Sequence, residues 1–205
     1  EGEVIIDIPV SNGYYCNLQI GRQVTNMDVD RIRRKMQEII DAKIPFIRRE
    51  CTTEEAIKLF AERGLGSKVK LLKSVGSLYT NTSELGGSVD CFYGSMLVNT
   101  SQIKLFGIEK YFDGLLLRIP SLKDPSKLGE LLHQKKMFDI FKEHHIWQNI
   151  MGVSTIGDVN EAVSEGYSST LINVSEALQE KKISQIADDI SDRHGVKVVL
   201  IAGPS

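Results

Sequence analysis

The sequence predicts an α+β protein: an antiparallel-sheet domain, then a helical stretch, then one more strand at the C-terminus. Three observations carry that prediction. Val4 to Val10 and Tyr14 to Ile20 are apolar-rich runs separated by Ser11-Asn12-Gly13, the composition of a tight hairpin turn. Val29, Ile32, Met36, Ile39 and Ile40 recur at the three- and four-residue steps of an amphipathic helix. Pro120 to Ser126 carries two prolines among polar residues, and the segments beyond it read as helices.

Taken in order, the hairpin is followed by Thr25-Asn26-Met27-Asp28, a capping box with Asp in the place of Glu, which opens the first helix. Pro45 closes that region and Phe46 to Glu50 reads as extended. Thr52-Thr53-Glu54-Glu55 then opens a second helix with Ala56, Leu59 and Phe60 on its apolar face and Gly64 as its stop. Between Lys68 and Arg118 short strands are expected at Val69 to Val75, Val89 to Tyr93, Ile103 to Phe106 and Leu115 to Ile119. Helices are expected from Leu128 to about Ile150, from Asp158 to Ser164, and over Leu171 to Ile190 with a stop at Gly195. Val196 to Ala202 reads as a buried strand entering Gly203-Pro204-Ser205. This divides the chain into domains at 1–120, 121–195 and 196–205.

With 205 residues, 41% of them hydrophobic, the chain has material for ordinary globular cores. Residues 1–120 hold 16 Lys and Arg against 15 Asp and Glu, and the remainder 9 against 12, so bulk charge argues against a nucleic-acid partner. Arg31, Arg33, Arg34 and Lys35, with Arg48 and Arg49, form a local cluster, but interspersed acids make it read as a solvated helix face. Three cysteines without CxxC spacing indicate neither a disulfide framework nor a zinc knuckle, which fits a reducing cytoplasm. No apolar run approaches the ~20 residues that cross a bilayer, so no membrane partner is expected. The chain opens on Glu1 and stops inside a Gly-Pro-Ser turn, so both ends are expected to be cuts. Homo-oligomerisation is left open.

A strand running into a glycine-rich turn and a helix is how P-loop proteins hold a phosphate, through backbone N–H groups, a helix N-terminus and a lysine. The run Ser175 to Ile183, Gln185 to Asp188 and Val196 to Ser205 resembles the segment leading into the P-loop of bacterial uridine kinase-like proteins. Their kinase follows a region similar to threonyl-tRNA synthetase. That second likeness is carried by Gly13-Tyr14-Tyr15-Cys16, by Thr25 and the helix at 28–42, by Ile44-Pro45, by Glu54-Glu55-Ala56, and by Ser88 to Met96. In this order they resemble the synthetase's second N-terminal, editing-type domain over about residues 10 to 120.

The resemblance implies an editing-like antiparallel domain, a helical connector and the first strand of an α/β P-loop kinase domain. It implies a full-length ATP- and Mg-dependent kinase acting on uridine or a related nucleoside, with Gly203, Pro204 and Ser205 as a partial phosphate loop. The chain alone is expected to bind no cofactor and to catalyse nothing, because the Gly-Lys-Ser/Thr end of the motif is absent. The resemblance also puts the editing cysteine and histidine at Phe92 and Met96, neither of which activates water or holds zinc. Tyr15, Asp90, Cys91, Phe92, Tyr93 and Met96 are the expected lining of the relic cleft, with no metal site. The alternative is a module that binds a small ligand or the acceptor end of a tRNA. Residual deacylation through Cys91, one position from the expected cysteine, needs a basic partner that the sequence does not offer there. His144 and His145, adjacent on a helix, point about 100° apart and do not share an ion readily, and Trp147 reads as an anchor.

Overall fold

A computed structural model describes residues 3–203, apart from the side chains of Glu3 and Asp7. Strands β1 (Glu3–Val10) and β2 (Gly13–Gln19) form the expected hairpin. Its two central residues are Ser11 and Asn12, both at positive φ (54° and 53°), the turn whose twist matches that of its strands. Gly13 opens β2 instead of occupying the turn, because a Cβ there would stand 2.5 Å from the Leu117 carbonyl oxygen. Helix α1 (Asn26–Asp41) starts at Thr25 with both halves of the capping box formed. Strand β3 (Ile47–Thr52) leads into α2 (Thr53–Glu62), whose capping box joins Thr52 and Glu55. Ala56 and Phe60 on the predicted face of α2 are fully buried.

Gly66–Val75 is a helix, α3, and not the strand expected at 69–75. Val69, Leu72 and Val75 are spaced by three, a helical repeat, and Gly76 at φ +68° supplies the left-handed stop. Strand β4 (Tyr79–Leu85) was not expected, since Tyr-Thr-Asn-Thr-Ser-Glu-Leu has almost no apolar pattern. Its buried residues are Thr82 and Ser83. Strand β5 (Ser88–Cys91) ends before Phe92, two residues short of the expected Tyr93. The strand expected at 103–106 begins instead at Gly107, as β6 (Gly107–Tyr111), followed by β7 (Gly114–Arg118). Helices α4 (Lys135–Met151), α5 (Ile156–Ser164) and α6 (Ser168–Ser191) complete the chain. Residues 128–134 precede α4 without helical structure.

Two antiparallel sheets result, one of four strands in the order β1-β2-β7-β6 and one of three in the order β3-β4-β5. The β2–β7 pairing aligns Tyr15 with Leu116 across about a hundred residues of chain. Two buried clusters hold the larger sheet: Ile8, Val10, Tyr15, Tyr111, Leu116 and Phe138, and separately Cys16, Val24, Val29, Ile108 and Leu115.

The chain divides into two compact units. One contains the residues up to Leu65 with Gly76–Glu143, the other Gly66–Val75 with the residues from His144 onward. In the second, α3 packs on α5. Gly157 permits the approach, since a Cβ there would lie 2.9 Å from the Leu71 nitrogen. Lys70 Nζ is 2.9 Å from both Asp158 and Glu161.

The buried strand expected at 196–202 is not formed. Val196 to Gly203 has no strand pairing, and Leu200 and Ile201 are 91% and 95% exposed. A strand apolar on both faces is stable only between neighbouring strands and under covering helices, and the described residues place none beside it. Gly203 is exposed; Pro204 and Ser205, the rest of the expected phosphate loop, lie outside the described residues. No helix among the described residues is long and apolar enough to cross a membrane.

Candidate functional site

The residues assigned to a relic cleft fall on both sheets. Asp90 and Cys91 close β5, and Phe92 to Val98 continue as an irregular segment. The Asp90 carboxylate turns back to accept a 2.6 Å hydrogen bond from the Cys91 amide. Cys91 is buried opposite Thr82, whereas Phe92 and Tyr93 are 49% and 80% exposed and Met96 is half-buried. The far end of the segment is anchored. The Val98 amide donates to Gln102 Oε1, the Phe46 amide donates to the Val98 carbonyl, and the Thr100 hydroxyl donates to the Ile39 carbonyl at 2.7 Å. Thr100 is 1% exposed, so this end is bolted to the C-terminus of α1 while the Phe92–Met96 side faces solvent.

Tyr15 belongs to the other sheet. It is buried against Phe138, with ring centroids 4.7 Å apart, and its hydroxyl donates 2.6 Å to Asp113 Oδ1. Lys142 Nζ lies 2.5 Å from the other oxygen of Asp113 and 5.6 Å from the Phe138 ring centroid. Burial raises the Asp113 pKa, but Lys142 and the Tyr15 hydroxyl outweigh it and hold the carboxyl below its ordinary value. Tyr15 is thus a fastener between β2 and the start of α4, in an aromatic cluster with Tyr111 and Phe112.

His133 stacks on Tyr111, His144 is exposed and His145 is half-buried along α4. Trp147, expected as an anchor, is half-buried. The Cys51 thiol donates to the Thr80 carbonyl at 3.6 Å, and burial together with the nearby Glu55 carboxylate pushes its pKa up, away from the thiolate. Among the described residues, no group of three His, Cys, Asp or Glu side chains is arranged to hold a metal ion.

A different concavity gathers charge. Leu18 near the end of β2 and Ile20 just beyond it face the α1 surface that carries Asp28, Arg31, Ile32, Lys35 and Glu38, enclosing about 730 Å³ with Arg22 and Arg34. Asp28, Arg31, Lys35 and Glu38 repeat at helical three- and four-residue steps, so they stand one above another on one face. Arg22 grips Asp28 through two 2.7 Å bonds, and Thr25 donates to the same carboxylate; these bonds hold the Asp28 carboxyl far below the ordinary carboxylate range and raise the Arg22 guanidinium. Lys35 pairs with Glu38 at 3.0 Å. Among the described residues Arg31 makes no ion pair, and Arg34 bonds only the main-chain oxygen of Asp30, at 3.4 Å. The rest of the sequence cluster disperses: Arg33 donates to the Ile108 carbonyl on the edge strand β6, Arg48 to Asn81, and Arg49 pairs with Glu84. In the sequence the arginines read as one solvated face. Arg22, brought to the groove by the turn after β2, was absent from that cluster.

A second concavity, of about 670 Å³, lies between the hairpin turn and residues 119–123, with Tyr14, Met137 and Phe141 in its wall.

No family model matches the chain. Curated relatives do. The chain is 32% identical over 111 residues to a threonine–tRNA ligase of Symbiobacterium thermophilum, a match covering 52% of this chain and 16% of the relative. It is 32% identical over 98 residues to threonine–tRNA ligase 1 of Bacillus subtilis, covering 47% and 15%. A longer match of 153 residues at 28% identity, to the threonine–tRNA ligase of Syntrophotalea carbinolica, covers 70% and 24%. About half of the chain is homologous to the N-terminal region of threonyl-tRNA synthetases. The matches span between about a sixth and a quarter of the relatives' length. The α+β architecture with antiparallel sheets is compatible with an editing-like domain.

Proposed function

We propose that this chain is a tRNA-binding module derived from an aminoacyl-tRNA editing domain, holding the acceptor end of a tRNA or its aminoacyl group without hydrolysing it. The homology to threonine–tRNA ligases carries the reading. The residue chemistry supports the loss of hydrolysis, since Phe92 and Met96 stand where the resemblance puts a cysteine and a histidine. Cys91, the neighbouring thiol, is buried at the end of β5. Equilibrium binding to a threonine-tRNA transcript tests the reading, with mischarged tRNA incubated in parallel. Binding without release of the amino acid above background is expected. No binding, or release that Cys91→Ala abolishes, overturns it.

A second reading places this chain ahead of an ATP- and Mg-dependent uridine kinase domain. The exposed apolar run Val198-Val199-Leu200-Ile201 favours it, because such a run is stable inside a parallel sheet. Uridine phosphorylation by the full-length protein, and a Gly-Lys-Ser/Thr continuation after Ser205, are the outcomes that support it. On this reading the chain alone binds no ATP at micromolar concentration, and magnesium-dependent binding in calorimetry would defeat that expectation.

A further inference from the structure

The groove between β2 and α1 has a composition that neither its neighbours nor the net charge of the chain explains. Its floor is apolar, formed by Leu18, Ile20 and Ile32, each half-buried against the second core cluster. Its walls carry four cations against two carboxylates. Both carboxylates are already engaged, Asp28 by Arg22 and Glu38 by Lys35, so the uncompensated charge rests on Arg31 and Arg34. These two lie three residues apart on one helix, which places their Cβ atoms about 5–6 Å apart. Two guanidiniums at that separation, each with several donors in a fixed fork, suit successive anionic oxygens along a chain better than a single small anion.

We propose that this groove binds the sugar–phosphate backbone of RNA, with Arg31 and Arg34 on phosphates, Lys35 in support, and the Ile20 and Ile32 floor under a ribose or an unstacked base. The proposal rests on the reading of the chain as a tRNA-binding module and adds where the RNA lies. It departs from the expectation drawn from bulk charge, because phosphate contacts depend on a local excess of unpaired cations and not on the net charge of the domain. RNA is favoured over an acidic peptide because the groove joins cations to an apolar floor, the pairing that stacking and phosphate contacts use together.

The test is a salt series of binding to a threonine-tRNA transcript by the wild-type chain, by Arg31→Gln/Arg34→Gln and by the charge-retaining Arg31→Lys/Arg34→Lys. Lys181→Gln, on the exposed surface of α6, serves as a control, and circular dichroism with a thermal melt checks that each variant is folded. Each phosphate contact contributes about 0.7–0.9 to the slope of log affinity against log salt. Losing two should lower the slope by about 1.4–1.8 and weaken binding about 25- to 60-fold at 0.1 M salt. The lysine pair should keep most of the slope, and the α6 control should match wild type. Wild-type binding that the glutamine pair leaves unchanged in affinity and slope overturns the groove and leaves the module reading standing. Absence of wild-type binding overturns both. Equal displacement of tRNA by polyglutamate overturns the RNA assignment and makes the groove a general anion surface.

Discussion

The two compact units differ sharply in how their elements are held. In the first, the four-stranded sheet carries two buried clusters, one completed by Phe138 and the other by Val29 of sixteen-residue α1, and Ala56, Phe60 and Leu116 lose all exposure to solvent. In the second, only Leu72 and Gly157 are buried among the described residues, and the 24-residue α6 buries none. Ile146, Ile150, Ile156, Ile172, Ile183 and Ile186 are each about half exposed or more. The comparison separates two sources of order. Helices in the second unit follow from local signals: the Thr155 capping box, left-handed Gly152, Gly166 and Gly195, and apolar periodicity. In the first unit the same local signals are reinforced by burial, which is where most helix stability in proteins arises.

The largest effect should therefore be confined to the first unit. Phe138→Ala removes a 3% exposed ring that touches Tyr15, Tyr111 and Phe112, and should cost about 3–5 kcal/mol in denaturant unfolding. Ile186→Ala on α6, at 48% exposure, should change stability by no more than about 0.5 kcal/mol. Similar losses at both positions would break the comparison. Next in size, Tyr15→Phe keeps the ring but removes the bond to the Asp113 carboxylate. A loss of about 1.5 kcal/mol is expected, at the low end for a charged partner because Asp113 is half exposed.

Smaller still are the Thr-x-x-Asp capping boxes, one in each unit. Thr25→Ala and Thr155→Ala should each cost about 1 kcal/mol, and hydrogen exchange over the first turns of α1 and α5 locates the loss. The acid response sharpens the same pairing. Asp28, held down first by Arg22, and Asp158, held down first by Lys70, both have lowered folded pKa values. Each therefore adds stability that is present above its unfolded pKa, about 4, and is lost as the pH falls through the lower folded value. Thermal melts should show a shallow dependence from pH 8 to 5 and a fall below 4. Asp28→Asn and Asp158→Asn should flatten that fall.

Much of the fold was legible because its signals are local. The Thr25 and Thr52 caps and the stop at Gly64 act within a few residues and appear where the residue pattern predicted them, and the hairpin turn forms on Ser11 and Asn12 with Gly13 already in β2. Residues 69–75 read as a strand because Val and Leu suit strands as well as helices, whereas the three-residue spacing and Gly76 behind it fit the helix that forms. Strand β4 was invisible because its stability comes from pairing with β3 and β5 and from the buried hydroxyl residues Thr82 and Ser83, not from an apolar alternation. The candidate site was the least legible part. Tyr15 and the Asp90–Met96 stretch were assigned to one cleft, yet Tyr15 is built into the four-stranded sheet and the others end the three-stranded one. The groove at α1 is not legible in the sequence because its excess charge appears only once Asp28 and Glu38 are matched to Arg22 and Lys35.

Residue order alone determined the elements that a turn, a cap or a helical repeat specifies, together with the kinship of about half of the chain to threonyl-tRNA synthetases. Tertiary structure alone decided which strands share a sheet, which apolar residues are buried and which arginines remain uncompensated. The physical reason is range: hydrogen bonds of caps and turns close within about four residues, whereas burial and charge pairing join side chains that chain order leaves far apart.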